Sequence, residues 1–151
     1  MISEALLLIS SGLLGIFLGA QIAEAMLLVP YWKALSPEHF FELHRTYGKK
    51  IHQFFAPITI AATILPLITV ANSLISDAKD QLLLVTMGVS TLLFFSSYFL
   101  YFKKANRSFF NRSISDEALP SALKKWGVWH WGRIVFEFIA FSCSLILLMN
   151  A

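Results

Sequence analysis

The chain has 151 residues, enough for one domain, of which 57% are hydrophobic and only 14% charged, and its mean hydropathy is +0.67. A soluble domain carries about 25% charged residues, and a chain this short has too little interior to hide so much apolar surface from water. These values exclude a soluble enzyme and make lipid the expected solvent. The single cysteine, Cys143, excludes an internal disulfide and any cysteine-based metal motif.

A helix needs about 20 apolar residues to cross a bilayer, and four runs meet that length. The first covers residues 5–29. Ala23-Glu24-Ala25 superficially resembles a signal-peptidase site, but no basic segment precedes the run and its apolar core is too long, so a retained helix is expected. Pro30 is expected to stop it. Ser36-Pro37-Glu38 then supplies an N-cap, a proline at the first helical position and an acid at the positive end of the helix dipole. A helix starting there should run as a short interfacial extension into the second span, residues 54–74, where Pro66 marks a candidate kink. The third span is expected at 82–102, with Ser76-Asp77 as its cap, and the fourth at 127–149, with Ser115-Asp116-Glu117 before it. Only helices satisfy their own backbone in lipid without pairing to another segment. The expected fold is therefore all-α, an integral membrane four-helix bundle in a single domain.

Basic residues set the topology. Lys33, Arg45, Lys49 and Lys50 lie between spans one and two. Lys103, Lys104, Arg107, Arg112, Lys124 and Lys125 lie between spans three and four. The other side has Lys79 alone, a ratio of ten to one. The positive-inside rule places both basic segments in the cytoplasm and both termini outside, in a plasma or inner membrane. It also accounts for the net charge of +3 and the pI near 9.1 through topology and lipid headgroups, so no nucleic acid is expected as a partner.

Ionisable side chains within a span are costly and mark function by default. Here they are Glu24 in span one, His52 at the start of span two, and His130, Arg133 and Glu137 in span four. All five fall in the cytoplasmic half of their helices. At about 100° per residue, Trp126, His130, Arg133 and Glu137 share one stripe of the fourth helix. His52, Thr59 and Thr63 share one of the second. Gly12, Gly15 and Gly19 form a narrow face of the first helix, suited to close backbone approach or to a homo-oligomeric contact. The expected site is a cytoplasm-facing intramembrane pocket. His130 or His52 would be its base, Glu24 and Glu137 its proton acceptors or relays, and Arg133 its anion stabiliser. The bland alternative is a packing lock, with Arg133 and Glu137 as a local pair four residues apart.

Trp126 and Trp129 flank the stripe and suit a flat ligand. Trp131 reads as part of the interfacial aromatic belt. His39 and His44 sit on the interfacial helix, with His44 a candidate lid. No Glu-x-x-His pair occurs. An iron, copper or zinc ion held by Glu24, His52, His130 and Glu137 is the alternative to a cofactor-free site.

Several segments resemble a known family. Gly15…Gly19, Pro30-Tyr31-Trp32, Leu35, the Asn106…Asn111-Arg112 stretch and the closing run Trp126-Gly127-Val128-Trp129-His130-Trp131-Gly132-Arg133 are similar to those of the anthrone oxygenase-like family. His130 stands where that family's pattern has asparagine. The resemblance implies a small four-helix membrane protein that oxidises an anthrone- or quinone-like substrate with molecular oxygen and no conventional cofactor. It also implies Trp126, Trp129, Arg133, Asn106 and Asn111 as substrate contacts. Two other classes compete with this expectation: a non-enzymatic accessory subunit or assembly factor of a larger membrane complex, and a metal- or haem-handling or proton-coupled membrane protein.

Overall fold

The computed structural model describes residues 2–76 and 79–150, and every regular element among them is helical. α1 (Ile2–Ala23) passes through a wide π-helical turn, Glu24–Leu28, into α2 (Val29–Ala34). α3 (Pro37–Ile75) is continuous over 39 residues despite Pro57 and Pro66. α4 (Gln81–Ser97) passes through a second π-helical turn, Tyr98–Phe102, into α5 (Lys103–Phe110), and α6 (Leu119–Met149) closes the chain. The resulting rods, Glu4–Ala34, Pro37–Ile75, Gln81–Phe110 and Leu119–Met149, are each long and apolar enough to cross a membrane. The protein is an all-α four-helix bundle of the membrane type.

Each rod outruns the span its sequence suggests. At 1.5 Å per residue α3 is about 58 Å long, whereas the hydrocarbon layer is about 30 Å thick, so its first turns stand outside that layer. Ser36 caps them, its hydroxyl accepting the His39 N–H at 3.4 Å. α6 begins at Leu119, two turns before the fourth span. The Ser115 hydroxyl accepts the Ala118 N–H at 3.4 Å, although Ala118 itself holds the cap position. The expected cap residue Asp77 lies outside the described residues; Asp80 precedes α4.

Pro30 does not end the first rod. A proline inside a helix lacks an N–H, and its ring collides with the carbonyl four residues back, here that of Met26. Widening the preceding turn removes the conflict. The Val29 N–H reaches back five residues to the Glu24 carbonyl, and the chain stays helical to Ala34. The third rod has the same feature, with the Lys103 N–H bonded to the Tyr98 carbonyl.

The rods pack in the cyclic order α1, α3, α4, α6. Lipid tails are as apolar as the side chains between the rods, so shape fit and interhelical hydrogen bonds hold the bundle together. Ser10 and Thr69 share a 2.8 Å hydrogen bond between α1 and α3. Asn150 donates to Asp80 at 3.2 Å between α6 and α4. A Cβ on Gly88 would lie 3.3 Å from Val70, and one on Gly15 only 3.0 Å from the Phe141 ring, whereas Gly12 and Gly19 face open space. Close approach along the expected glycine face therefore occurs only at Gly15.

Two cores divide the bundle. One is aliphatic and built around Leu14, Phe17, Ala62, Met87, Phe94 and Ala140. The other, at the basic end, is largely aromatic, with Trp32, Phe40, Phe102, Phe109 and Trp126 at its centre. Large apolar side chains such as Ile16, Leu27, Val89, Leu100, Val128 and Phe138 cover the outside, as a lipid-facing surface requires.

Candidate functional site

The polar stripe of α6 faces inward. His130 and Glu137 are fully buried and Trp126 nearly so. Across from them, the π-helical turn begins at the buried Glu24, and π turns concentrate at functional sites. Glu24 Oε2 lies 3.7 Å from Arg133 Nη2 and 3.8 Å from His130 Nε2. The guanidinium of Arg133 also sits 4.4 Å from the ring centre of Phe102, the last residue of the second π turn. Both irregular turns thus deliver a residue to Arg133.

His130 is tied at both nitrogens. Arg133 Nη2 donates to its Nδ1 at 2.9 Å, and its Nε2–H donates to the Gln21 carbonyl at 2.9 Å. Guanidinium has no acceptor and a carbonyl no donor, so the ring is the neutral tautomer with its proton on Nε2. Trp126 stacks on the imidazole at 4.8 Å and 22°, and Phe102 meets it edge-on at 6.3 Å. The lone pair that a general base would use is already occupied, and flanking rings cover the imidazole. The expectation of His130 as base is corrected: it orients Arg133.

A cavity of about 740 Å³ opens beside this cluster, within the size range of small-molecule sites. Gln21, Glu24, Trp126 and Arg133 form its inner wall. Phe55, Thr59 and Ile60 of α3 face Phe95, Tyr98 and Phe99 of the third rod across it. Ile60 and Phe99 are more than half exposed, so the cavity reaches the outer surface between α3 and the third rod. These elements pack closely at Val70 and Gly88 and part toward the basic end.

Of the other residues expected at the site, His52 is exposed and lines the outer cavity wall on α3, apart from the His130 cluster. Asn106 lines the cavity and accepts the Trp126 indole N–H at 2.9 Å. Asn111 does not reach it; this exposed residue ends α5. Trp129 also falls outside, stacked on Tyr101 at 5.0 Å and 6°. It sits about 60° around α6 from Trp126, enough to turn its ring to another face. Glu137 lies one turn beyond Arg133 with both carboxylate oxygens buried and without a hydrogen-bond partner. The expected Arg133–Glu137 lock gives way to the Arg133–Glu24 pair, because Arg133 reaches across to α1.

The four-residue metal set does not assemble. Among the described residues no three His, Cys, Asp or Glu side chains converge closely enough to hold an ion. Both His130 nitrogens are already engaged, Nδ1 by Arg133 and Nε2 by the Gln21 carbonyl, which leaves no ring lone pair for an ion.

Sequence reasoning underrated two neighbours. His44 is buried, its Nδ1 donates to the Phe40 carbonyl at 3.0 Å, and its ring lies 4.1 Å from Phe40 and 5.2 Å from Trp32. The four-residue spacing from Phe40 was the available signal. Gln21 participates through its backbone carbonyl, which no side-chain pattern reveals. Comparison with family models, curated proteins and solved structures returns no match.

Proposed function

We propose that the protein is a small membrane oxidoreductase-like protein that takes a flat hydrophobic, anthrone- or quinone-like substrate into the cavity. One observation carries this reading: an aromatic-walled cavity of about 740 Å³ ends on a buried carboxylate and guanidinium, Glu24 and Arg133. The walls suit a planar ring system. The methylene of an anthrone lies between two aryl rings that conjugate it to the carbonyl opposite, so its anion is delocalised onto that oxygen and a carboxylate can serve as the base. Glu24, which lines the cavity, takes the proton, and Arg133 faces the oxyanion of the resulting enolate. His130 holds Arg133 in place, and His52 is a second proton acceptor nearer the mouth. Oxidation of the carbanion by molecular oxygen then balances as CH2 plus O2 to C=O plus water. Placement of this end in the cytoplasm, with both termini outside and the protein in a plasma or inner membrane, belongs to the same proposal and rests on the ten-to-one distribution of basic residues.

The inward orientation of His130 and Glu137 favours a binding site over an accessory subunit that docks a partner helix on the stripe, since docking there would require the bundle to open. Two measurements test the proposal. The purified protein is incubated with an anthrone under oxygen, and oxygen uptake is compared with anthraquinone formation. One-to-one turnover that is lost in Glu24→Gln is expected; absence of turnover above a protein-free control overturns the oxidative chemistry. Single cysteines at Ser113 and Lys79 in a Cys143→Ser background test the orientation. Only the Lys79 position should react with an impermeant thiol reagent from outside.

A further inference from the structure

The cavity wall is divided by polarity in a way that a neutral planar ligand leaves unexplained. Its middle is apolar, with Phe55, Ile60, Phe95 and Phe99 facing one another. At the basic end the same cavity is bordered by Lys49 from α3 and by Lys103 and Arg107 from α5. Of the other cations at this end, Arg45 pairs with Glu42 at 3.5 Å, Arg112 with Asp116 at 3.4 Å, Lys50 and Lys125 lie over tyrosine rings, and Lys33, Lys104 and Lys124, outside this cavity's wall, make no ion pair among the described residues. Lys49, Lys103 and Arg107 make no ion pair among the described residues. Lys103 and Arg107 are one helical turn apart, where like charges oppose each other and a shared anion relieves the repulsion. With Arg133 the wall holds four cations against one carboxylate, Glu24.

We propose that the ligand of this cavity is an amphipathic acid. Its planar apolar body lies between Phe55 and Phe95/Phe99, and a carboxylate, sulfonate or phosphate group at its outer end is held by Lys49, Lys103 and Arg107. This rests on the reading of the cavity as a site for a planar molecule and adds the chemistry that selects among such molecules. The basic rim supplies charge-assisted hydrogen bonds to an anion. It gives a neutral analogue nothing in exchange for the water it would displace.

The test uses the full-length protein in a neutral maltoside detergent with two probes of matched ring system, anthraquinone carboxylate and methylanthraquinone. Trp32 and Trp126 line the cavity, so quenching of tryptophan fluorescence reports occupancy. The carboxylate is expected to bind at least about tenfold more tightly, and raising ionic strength should weaken the carboxylate alone. The triple variant Lys49→Gln, Lys103→Gln, Arg107→Gln should erase the preference and leave methylanthraquinone binding unchanged. Equal affinities, or a preference insensitive to salt, overturn the proposed acid selectivity while the cavity reading stands. Saturable quenching by neither probe overturns both.

Discussion

Arg133 donates to Nδ1 of His130 at 2.9 Å while the opposite ring nitrogen donates to the Gln21 carbonyl. The imidazole is thereby locked between a side chain of its own helix and the backbone of α1, and the guanidinium is aimed past it at Glu24.

Truncation at this position should be costly. His130→Ala opens a void next to Trp126, removes the acceptor of an Arg133 N–H and takes away the side-chain donor to the Gln21 carbonyl. A loss of about 2–4 kcal/mol is expected. Thermal unfolding in detergent, followed by circular dichroism, reads it; a variant as stable as the parent contradicts the described packing.

Glu24 and Arg133 should be energetically coupled. Removing either partner leaves the other charge buried, so Glu24→Gln and Arg133→Gln should each destabilise strongly. The double variant should lose less than the sum, with a coupling of about 1–3 kcal/mol in a double-mutant cycle. Strict additivity would mean that the 3.7 Å approach contributes nothing.

Glu137 should behave in the opposite way. Both its oxygens are buried without a hydrogen-bond partner, and such groups weigh against the folded state. Glu137→Leu is therefore expected to leave the melting temperature unchanged or raise it. A large drop would mean that attraction to Arg133 outweighs the cost of its unbonded oxygens.

The glycines of α1 give an internal control. Gly15→Val forces its new atoms into the Phe141 ring, 3.0 Å from the Cβ position, and should cost about 1–3 kcal/mol. Gly12→Ala and Gly19→Ala meet open space and should be neutral or gain up to about 1 kcal/mol from helix propensity. Comparing the three melting temperatures separates packing from propensity.

The four crossings were legible because each is a long apolar run, and the α6 stripe because Trp126, His130, Arg133 and Glu137 follow one helical phase. The Ser36-Pro37-Glu38 start was equally plain, since capping chemistry is local. What escaped is non-local or lies in the backbone. Whether Arg133 turns to Glu137 or to Glu24 depends on how closely α1 approaches α6. Trp129 leaves the site by a modest rotation, and Asn111 by falling at the end of α5. His44 is buried by rings from α2 and α5, which lie far from it in sequence. Pro30 gave the right signal and the wrong inference, because a helix has another way to accommodate a proline besides ending.

That accommodation changes what lies beyond it. A π turn takes up one additional residue, so every side chain after Leu28 points about 100° away from the direction a regular helix would give it. Trp32 follows Glu24 by eight residues, and this offset brings it back to within about 20° of the same direction, where it lines the cavity above the carboxylate. Regular winding over the same eight residues would turn the indole about 80° from Glu24 and leave the chamber without that side, whereas deleting one residue between Glu24 and Leu28 would remove the π turn and keep the two aligned. The irregular turn is thus a spacer that aligns an aromatic panel with an acid.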